Sequence, residues 1–485
     1  MANEKVSQNK ALVIVIATIA ATGGLLFGFD TGVISGAIPF FQKAFNINDS
    51  WVEIITTAGL VGAVFGAMFS GRFADILGRK KVILLSAAIF AIGAIWSGIS
   101  QSAMMLVFAR LFLGIAIGVS SFSVPLYIAE ISPTKSRGTL VSMFQLLITI
   151  GIMVSYLSDS MFAVPDGDPS YMTCWRPMFY VGVIPALIMF VGMIFLPETP
   201  RWLISKGKED KCRQVLEKVE EPQLVEEVMS KMKAELEADN QVKFSWTSIF
   251  NKWMRIPLII AVGIMFVQQF TGINTIIYYS PKIFLMSGFA DAQAAVWASV
   301  SVGVVNVVFT ILSLFMIDRL GRRKLYFIGL TGLVVALTAM GTCFALQSTL
   351  GDSIKWVTIS LVWVYIAFFA ISLGPLGWLI ISEVFPLRVR GIGSSIGALS
   401  CWLFNGVVAF TFFKIVKALT LPGTSIVLKG NDLGNPAGAF YLYAMVGILG
   451  LIWGYFFIPE TKNITLEEIE DHWRQGKNPK DLKHK

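Results

Sequence analysis

The chain has 485 residues, of which 55% are hydrophobic and only 14% are charged, with 39 Lys and Arg against 31 Asp and Glu. Soluble domains carry about 25% charged residues, so this composition excludes an ordinary soluble protein. The high apolar content also excludes a disordered chain, and four cysteines are too few for a disulfide scaffold. The composition predicts an integral membrane protein.

Stretches without Asp, Glu, Lys or Arg recur along the chain, and each of the twelve longest holds at least 18 residues. A helix that crosses a bilayer needs about 20 apolar residues, whereas a β-barrel would show alternating segments of about 10 residues. The predicted fold class is therefore an all-α membrane protein with twelve transmembrane helices. In chain order, the predicted spans 1 to 12 are 11–29, 54–71, 82–109, 111–129, 138–158, 177–197, 256–281, 292–317, 325–351, 356–382, 391–413 and 433–459.

Two charges interrupt the apolar segments of the first half. Asp30 lies inside an apolar stretch that continues from Ala11 to about Phe41, which is too long for the core of a cleaved signal peptide. Arg110 separates runs three and four, which we expect to turn at residues 100–102, so that Arg110 lies inside span 4. Asp30 and Arg110 are thus the two charges predicted deep in the membrane.

Most Lys and Arg residues lie in the two terminal segments and in every second connection between the predicted spans. The positive-inside rule places such basic segments in the cytoplasm. This predicts a multi-pass protein of the plasma or inner membrane with both termini cytoplasmic. Because the net charge follows from this topology, nucleic-acid binding is not expected. The basic segments are the N-terminus, the loops 71–81, 131–139, 318–324 and 385–391, the stretch 200–255 and the tail after 459.

Three short motifs occur twice, roughly 250 residues apart, after the second, fourth and sixth span of each half. They are Asp75-Ile-Leu-Gly-Arg-Lys-Lys with Asp318-Arg-Leu-Gly-Arg-Arg-Lys, Glu130-x-x-Pro-x-x-x-Arg-Gly with Glu383-x-x-Pro-x-x-x-Arg-Gly, and Pro197-Glu-Thr with Pro459-Glu-Thr. The repetition predicts two related six-helix halves, a layout that in transporters places the substrate between the halves. The predicted divisions are an N-terminal half 1–197, a small cytoplasmic helical linker 198–255, a C-terminal half 256–459 and a cytoplasmic tail 460–485.

The charged residues of the repeated motifs lie at the cytoplasmic ends of helices. We expect them to pair across the two halves and to latch that side in one conformational state, outside the substrate site. The alternative is a set of solvated loop charges that only fix topology. The expected gate residues are Asp75, Arg79, Glu130, Arg137, Asp318, Arg322, Glu383 and Arg390.

Catalysis is not expected. The histidines, His472 and His484, lie in the tail, the four cysteines lack metal-ligand spacing, and no phosphate-binding G-x-x-x-x-G-K-[ST] loop is present. The sequence therefore predicts neither an enzyme nor a cofactor or metal, and no obligate protein partner is evident.

Span 7 carries a dense set of uncharged polar residues around a glycine. Gln268, Gln269, Asn274 and Tyr278 flank Gly272, where the helix is expected to break. An amide offers donors and an acceptor together, which suits a ligand with hydroxyl groups. Unwound backbone within a membrane must line a cavity or be buried in protein. The alternative for these amides is hydrogen bonding between helices.

Longer motifs identify the chain as similar to the sugar porter family of the major facilitator superfamily, which includes bacterial sugar–proton symporters and animal glucose facilitators. The similarity covers nearly the whole chain. Besides the repeated loops, it depends on Gly28-Phe-Asp30, Pro197-Glu-Thr-Pro-Arg-Trp202, Gln268-Gln-Phe-Thr-Gly-Ile-Asn274, Gly374-Pro-x-x-Trp378 and Pro459-Glu-Thr-Lys462.

The resemblance implies further sugar contacts in spans 5, 8, 10 and 11, at Gln145, Asn306, Trp378 and Trp402. A Trp ring can stack on the C–H face of a pyranose while its N–H donates to a hydroxyl. Two departures affect selectivity. Cys401 stands where bacterial relatives have an amide, and Phe29 replaces the usual Tyr, so pentose, hexose and polyol substrates stay open.

Three functional hypotheses follow from the resemblance. The first is a proton-coupled monosaccharide symporter, in which Asp30 and Arg110 pair and protonation of Asp30 breaks the pair. The second is a passive sugar facilitator, and a polyol or inositol symporter is a variant of the first. The third is a non-transporting sugar sensor, which the short tail disfavours. A permanent structural ion pair is the alternative reading of Asp30 and Arg110.

Overall fold

The computed structural model describes residues 2–133, 136–241, 252–385, 390–428, 431–462, 464 and 466–482. Within these ranges, twelve helical segments are long and apolar enough to cross a membrane, which confirms the predicted fold class. Spans 1 to 12 are Ala11–Ala44, Asp49–Leu77, Arg79–Ile99, Ala103–Ile131, Arg137–Phe162, Trp175–Phe195, Arg255–Met286, Ala292–Ile317, Arg322–Ala345, Gln347–Val384, Gly393–Ala418 and Ala437–Phe457.

Several helices continue beyond the charge-free runs. Span 1 belongs to a helix that begins at Ala2, and spans 2 and 5 include the acids Asp49, Glu53 and Asp159. Lys282 lies inside span 7, one residue beyond its predicted end at 281. All four side chains are buried. Burial within the bundle is therefore not confined to Asp30 and Arg110, because hydropathy counts a charge as polar whether or not a neighbouring helix covers it.

Three spans are broken into shorter helices. Span 7 consists of Arg255–Phe270 and Ile273–Met286, joined at Gly272, whose φ of 88° lies in the left-handed region that favours glycine. Span 6 consists of Trp175–Val181 and Val183–Phe195. Span 10 has a short helix Gln347–Leu350, a 3₁₀ turn Gly351–Ser353 and the helices Ile354–Ile371 and Leu373–Val384.

An even number of spans places both ends of the chain at one end of the bundle, here called the terminal face; the other end is the opposite face. The terminal face carries the helices Pro200–Ser205, Glu209–Val219, Val225–Gln241 and Leu466–Arg474, with 3₁₀ turns at Lys252–Met254 and Pro479–Asp481. The opposite face carries a two-stranded antiparallel hairpin, Val427–Leu428 with Asn431–Asp432, which the sequence did not predict.

Glycines allow spans 2 and 4 to pack closely within the N-terminal half. A Cβ atom at Gly62 would lie 3.0 Å from the Cα of Gly114. Packing of this kind stabilises membrane helices through van der Waals contact. Span 1 packs on span 5 in the same half, and span 9 packs on span 12 in the other.

Polar contacts between the two halves gather toward the opposite face. The hydroxyl of Tyr156 donates to the carbonyl of Ile277 at 2.7 Å, and the Gln293 amide donates to the carbonyl of Ala163 at 2.8 Å. Spans 5 and 8, 2 and 11, and 1 and 7 are the helix pairs that meet most extensively across the halves. The broken span 7 therefore lies at a boundary where the halves touch.

Candidate functional site

A chain of amide hydrogen bonds surrounds the break in span 7. Asn274 donates to Gln269 Oε1 at 2.6 Å, and Gln269 Nε2 donates to Gln268 Oε1 at 3.1 Å. Gln268 and Gln269 are each 3% exposed. The structure thus brings together three of the residues singled out from the sequence, because Gly272 turns the second helix so that Asn274 faces back toward Gln269.

The amide chain continues to the break in span 10. Gln268 Nε2 donates to the carbonyl oxygen of Leu373 at 2.6 Å and approaches that of Gly374 at 3.4 Å. Leu373 and Gly374 are the first residues of the helix Leu373–Val384, and a carbonyl oxygen has a second lone pair that can accept a side-chain donor. Gln268 supplies such a donor, and its hydrogen bond connects the break in span 7 with the break in span 10.

Cys401 takes a place in this network. Gln269 Nε2 donates to Cys401 Sγ at 3.3 Å, and the thiol lies 3.9 Å from Gln268 Oε1. A thiol is a weak donor and acceptor. The residue that departs from the family pattern therefore still contacts both glutamines, but with weaker hydrogen bonds than an amide would make.

A second polar group lies one helical turn after Asn274. Asn405 Nδ2 donates to the Tyr278 hydroxyl at 3.2 Å, and both side chains are buried. Three residues before Asn405, the ring of Trp402 packs on Phe27 of the other half, with 4.9 Å between ring centroids. Asn405 and Phe27 were not predicted from the sequence, although Asn405 follows Trp402 at helical spacing.

Asp30 and Arg110 form a bidentate ion pair between spans 1 and 4. Arg110 Nη2 donates to Asp30 Oδ2 at 2.9 Å, and Nη1 donates to Oδ1. Asp30 is 5% exposed and Arg110 is 3% exposed. Two parallel charge-assisted hydrogen bonds are the strong form of this interaction, and they compensate two charges that burial would otherwise penalise.

A small cavity connects this pair with the C-terminal half. Its volume is about 10 Å³, the size of about one water molecule. Because residues of five spans line it, the cavity is the point at which the ion pair adjoins the side chains of spans 7 and 11. Its polar and aromatic lining includes Phe27, Asp30, Thr56, Arg110, Tyr278 and Trp402.

The other expected contact residues lie apart from the amide network. Asn306 in span 8 is buried, Gln145 in span 5 is partly exposed and Trp378 in span 10 is 37% exposed. The hydrogen bonds within the described residues do not join these three side chains to Gln268, Gln269 or Asn274. They stay predicted contacts.

The repeated motifs form the same arrangement in each half at the terminal face. Arg79 lies 3.1 Å from Glu130, which accepts a hydrogen bond from Thr199 at 2.6 Å. In the second half, Arg322 lies 2.8 Å from Glu383, which accepts a hydrogen bond from Thr461 at 2.5 Å. Each of these pairs joins helices of one half.

Among the described side chains, the gate residues named above pair within their own halves, and the latch between the halves stays a prediction. Asp75 pairs with Arg79 at 3.0 Å, again within one half. Arg137 is the first residue of span 5. The side chains of Asp318 and Arg390 lie outside the described residues.

The repeated Pro-Glu-Thr motifs explain a further contact. Glu198 accepts the backbone N–H of Lys80 at 3.1 Å, and Glu460 accepts that of Arg322 at 2.9 Å. These N–H groups begin spans 3 and 9, where a helix has no internal acceptors and a carboxylate is favourable. Burial raises the pKa of the Glu198 carboxyl, although backbone N–H groups donate to it.

Comparisons with known proteins agree with this geometry. A model of the sugar (and other) transporter family matches residues 16–473. The galactose-proton symporter of Escherichia coli (strain K12) is 34% identical over 479 residues, covering 98% of this chain and 97% of that protein. The major myo-inositol transporter IolT of Bacillus subtilis (strain 168) is 34% identical over 462 residues, covering 95% and 94%.

Among solved structures, that of the proton:xylose symporter XylE from E. coli, bound to 6-bromo-6-deoxy-D-glucose, has a TM-score of 0.79 and 30% sequence identity. The match covers 96% of this chain and 100% of XylE. The chain therefore belongs to the sugar (and other) transporter family of the major facilitator superfamily, a family of transporters and not of enzymes.

Proposed function

We propose that this protein is a secondary active transporter that carries a monosaccharide, a pentose or hexose, together with a proton by alternating access. The single observation that carries this proposal is the buried, bidentate Asp30–Arg110 pair beside a cavity that both halves line. An ionisable residue inside a membrane is a functional site by default, because its burial costs several kcal/mol. The galactose-proton and xylose-proton relatives support proton coupling.

Protonation of Asp30 supplies the coupling step. The deprotonated carboxylate accepts both hydrogen bonds from Arg110, whereas the protonated acid is neutral and gives up the charge-assisted pair. Arg110 then needs another acceptor. The cavity beside it, which Tyr278 and Trp402 also line, gives its side chain room to turn toward the C-terminal half. A proton on Asp30 thereby changes the contact between the two halves.

The amide network supplies sugar recognition. Gln268, Gln269 and Asn274 hold donors and acceptors at the break in span 7, and sugar hydroxyls can exchange with the bonds that these amides make to one another. The ring of Trp378, which is 37% exposed, is a stacking surface for a pyranose. We place Gln145, Asn306 and Trp402 around the same substrate.

The basic terminal face is the cytoplasmic face in this proposal, by the positive-inside rule. The cross-half bonds of Tyr156 and Gln293 then close the outer side. With this orientation, the structure represents a conformation that is closed on the outer side. At the terminal face, Arg79 pairs with Glu130 and Arg322 with Glu383, each within its own half.

Transport by purified protein in liposomes tests this function. We expect a labelled monosaccharide to accumulate inside against its gradient when the external pH is lower, and the accumulation to collapse when a protonophore is added. Counterflow against unlabelled pentoses, hexoses and inositols identifies the substrate. Sugar exchange that proceeds without any pH-driven accumulation would instead establish a passive facilitator.

A polyol substrate is the second candidate. The myo-inositol transporter IolT is as similar to this chain as the galactose-proton symporter, at 34% identity. The weak hydrogen bonds of Cys401 alter one contact in the site. Counterflow by myo-inositol that exceeds counterflow by every monosaccharide would favour this reading.

A further inference from the structure

At the opposite face, five charged side chains that the coupling mechanism does not use form ion pairs between the two halves. Asp49 and Glu53 belong to span 2 in the N-terminal half, whereas Lys282, Lys414 and Lys417 belong to spans 7 and 11 in the C-terminal half. Every ion pair among them crosses from one half to the other. We call these five residues the clasp.

Asp49 and Lys282 form the buried centre of the clasp. Their carboxylate and ammonium groups are in direct contact, and the side chains are 10% and 8% exposed. Gln42 bonds to both, donating to Asp49 Oδ1 at 3.0 Å and accepting from Lys282 Nζ at 3.1 Å. Lys282 also lies 4.4 Å from the centre of the Phe413 ring. These neighbours replace the water that both charges have lost.

Two half-exposed lysines complete the clasp. Lys417 Nζ lies 3.3 Å from Asp49 Oδ2, and Lys414 Nζ lies 2.9 Å from Glu53 Oε2. Glu53 is fully buried, and its other oxygen accepts the backbone N–H of Phe413 at 2.8 Å. Spans 7 and 11 of the other half thus cover the acids of span 2.

We propose that the clasp is an electrostatic lock that holds the two halves together at the opposite face and is broken each time that face opens. A ligand or contact shifts a conformational equilibrium only by interacting differently with the two states. The clasp meets this condition, because all its ion pairs exist when the halves touch and none can persist when they separate. The inference rests on the proposed alternating access and adds the residues that set its outer energy barrier.

Distances between spin labels on the two halves test the lock directly. Labels at Met172→Cys and Leu421→Cys report the separation of exposed positions at the opposite face. The four native cysteines are buried, and burial raises the pKa of the Cys174 thiol to about 11, so they stay unlabelled. The protein is measured in nanodiscs without sugar or a proton gradient.

We expect Lys282→Met to increase the population with the longer inter-half distance by about fivefold or more, within the usual range of conformational coupling. Lys43→Met is the matched control, because Lys43 lies at the same face but pairs with Asp166 of its own half, at 3.9 Å. The control should leave the distance distribution unchanged.

An unchanged distance distribution in Lys282→Met would overturn the proposal, as would equal opening in Lys43→Met. If Lys282→Met does not fold, Lys414→Met removes a half-exposed lysine and should produce a smaller opening; no opening there also overturns the lock. The readout requires no transport. If Lys282→Met opens the face but the unsubstituted protein transports no sugar in liposomes, the proposed function is refuted and the proposal about the clasp still holds.

Discussion

The side chain of Gln268 donates a 2.6 Å hydrogen bond to the carbonyl oxygen of Leu373, and this bond ties the break in span 7 to the break in span 10. Both residues are buried, so neither group can turn to water instead. If Gln268 binds the sugar as proposed, binding must release this carbonyl. The proposed site would then couple substrate binding to the geometry of span 10 through one side chain.

Replacing Gln268 with Ala should weaken sugar binding while the protein still folds. The change removes one amide from the hydrogen-bond chain, which is worth about 1–2 kcal/mol, or roughly 5- to 30-fold in Kd. Equilibrium binding of the transported sugar to purified protein measures the effect.

Gln347→Ala serves as its control, because Gln347 lies in a short helix of span 10 away from the amide network. Unchanged affinity of Gln268→Ala for every transported sugar would remove Gln268 from the substrate site.

Glu383→Gln should alter the balance between conformations without changing sugar preference. The substitution weakens the contact with Arg322, at 2.8 Å, and with Thr461, at 2.5 Å, both at the terminal face. Labelling of single cysteines at the two faces gives the conformational balance, and competition among sugars gives the preference. A changed order of sugar affinities with unaltered labelling would contradict a gating role.

Asp159→Asn should leave the thermal unfolding temperature unchanged or raise it. Asp159 is fully buried, and no basic side chain within the described residues pairs with its carboxylate. Ionisation would leave an uncompensated charge, which is unfavourable by several kcal/mol, whereas Asn keeps the shape and stays neutral. A fall of more than about 5 °C would show that the carboxylate stabilises the fold.

Much of the fold was predictable because the membrane restricts it. Spanning helices must be apolar over about 20 residues, so charge-free runs located all twelve spans. The motif repeats indicated two related halves, and the structure shows the same pair in each, Arg79 with Glu130 and Arg322 with Glu383, although within a half and not across the halves as expected. Gly272 marked the break in span 7, since glycine tolerates its positive φ.

Contacts between halves were not predictable in the same way. Asp49 and Lys282 are 233 residues apart, and their pairing depends on how spans 2, 7 and 11 meet in one conformation. A hydropathy pattern treats each residue alone, so it ended span 7 at residue 281, one residue before Lys282. For the same reason it could not show which partners the terminal-face charges take in this state.

In the proposed mechanism a proton on Asp30 couples to sugar movement, and the transport behaviour of Asp30→Asn tests this coupling. Asn mimics the neutral acid, so the variant should exchange or bind sugar but lose accumulation driven by a pH gradient and sugar-induced proton uptake. Asp352→Asn, which changes an exposed acid at the opposite face, should accumulate sugar normally.

Arg110 loses its charged partner in Asp30→Asn, so the thermal unfolding temperature is recorded alongside transport to separate coupling from folding. We expect a folded Asp30→Asn protein with sugar counterflow and no pH-driven accumulation. Undiminished proton-driven accumulation by that folded protein would show that Asp30 is not the proton-coupling site.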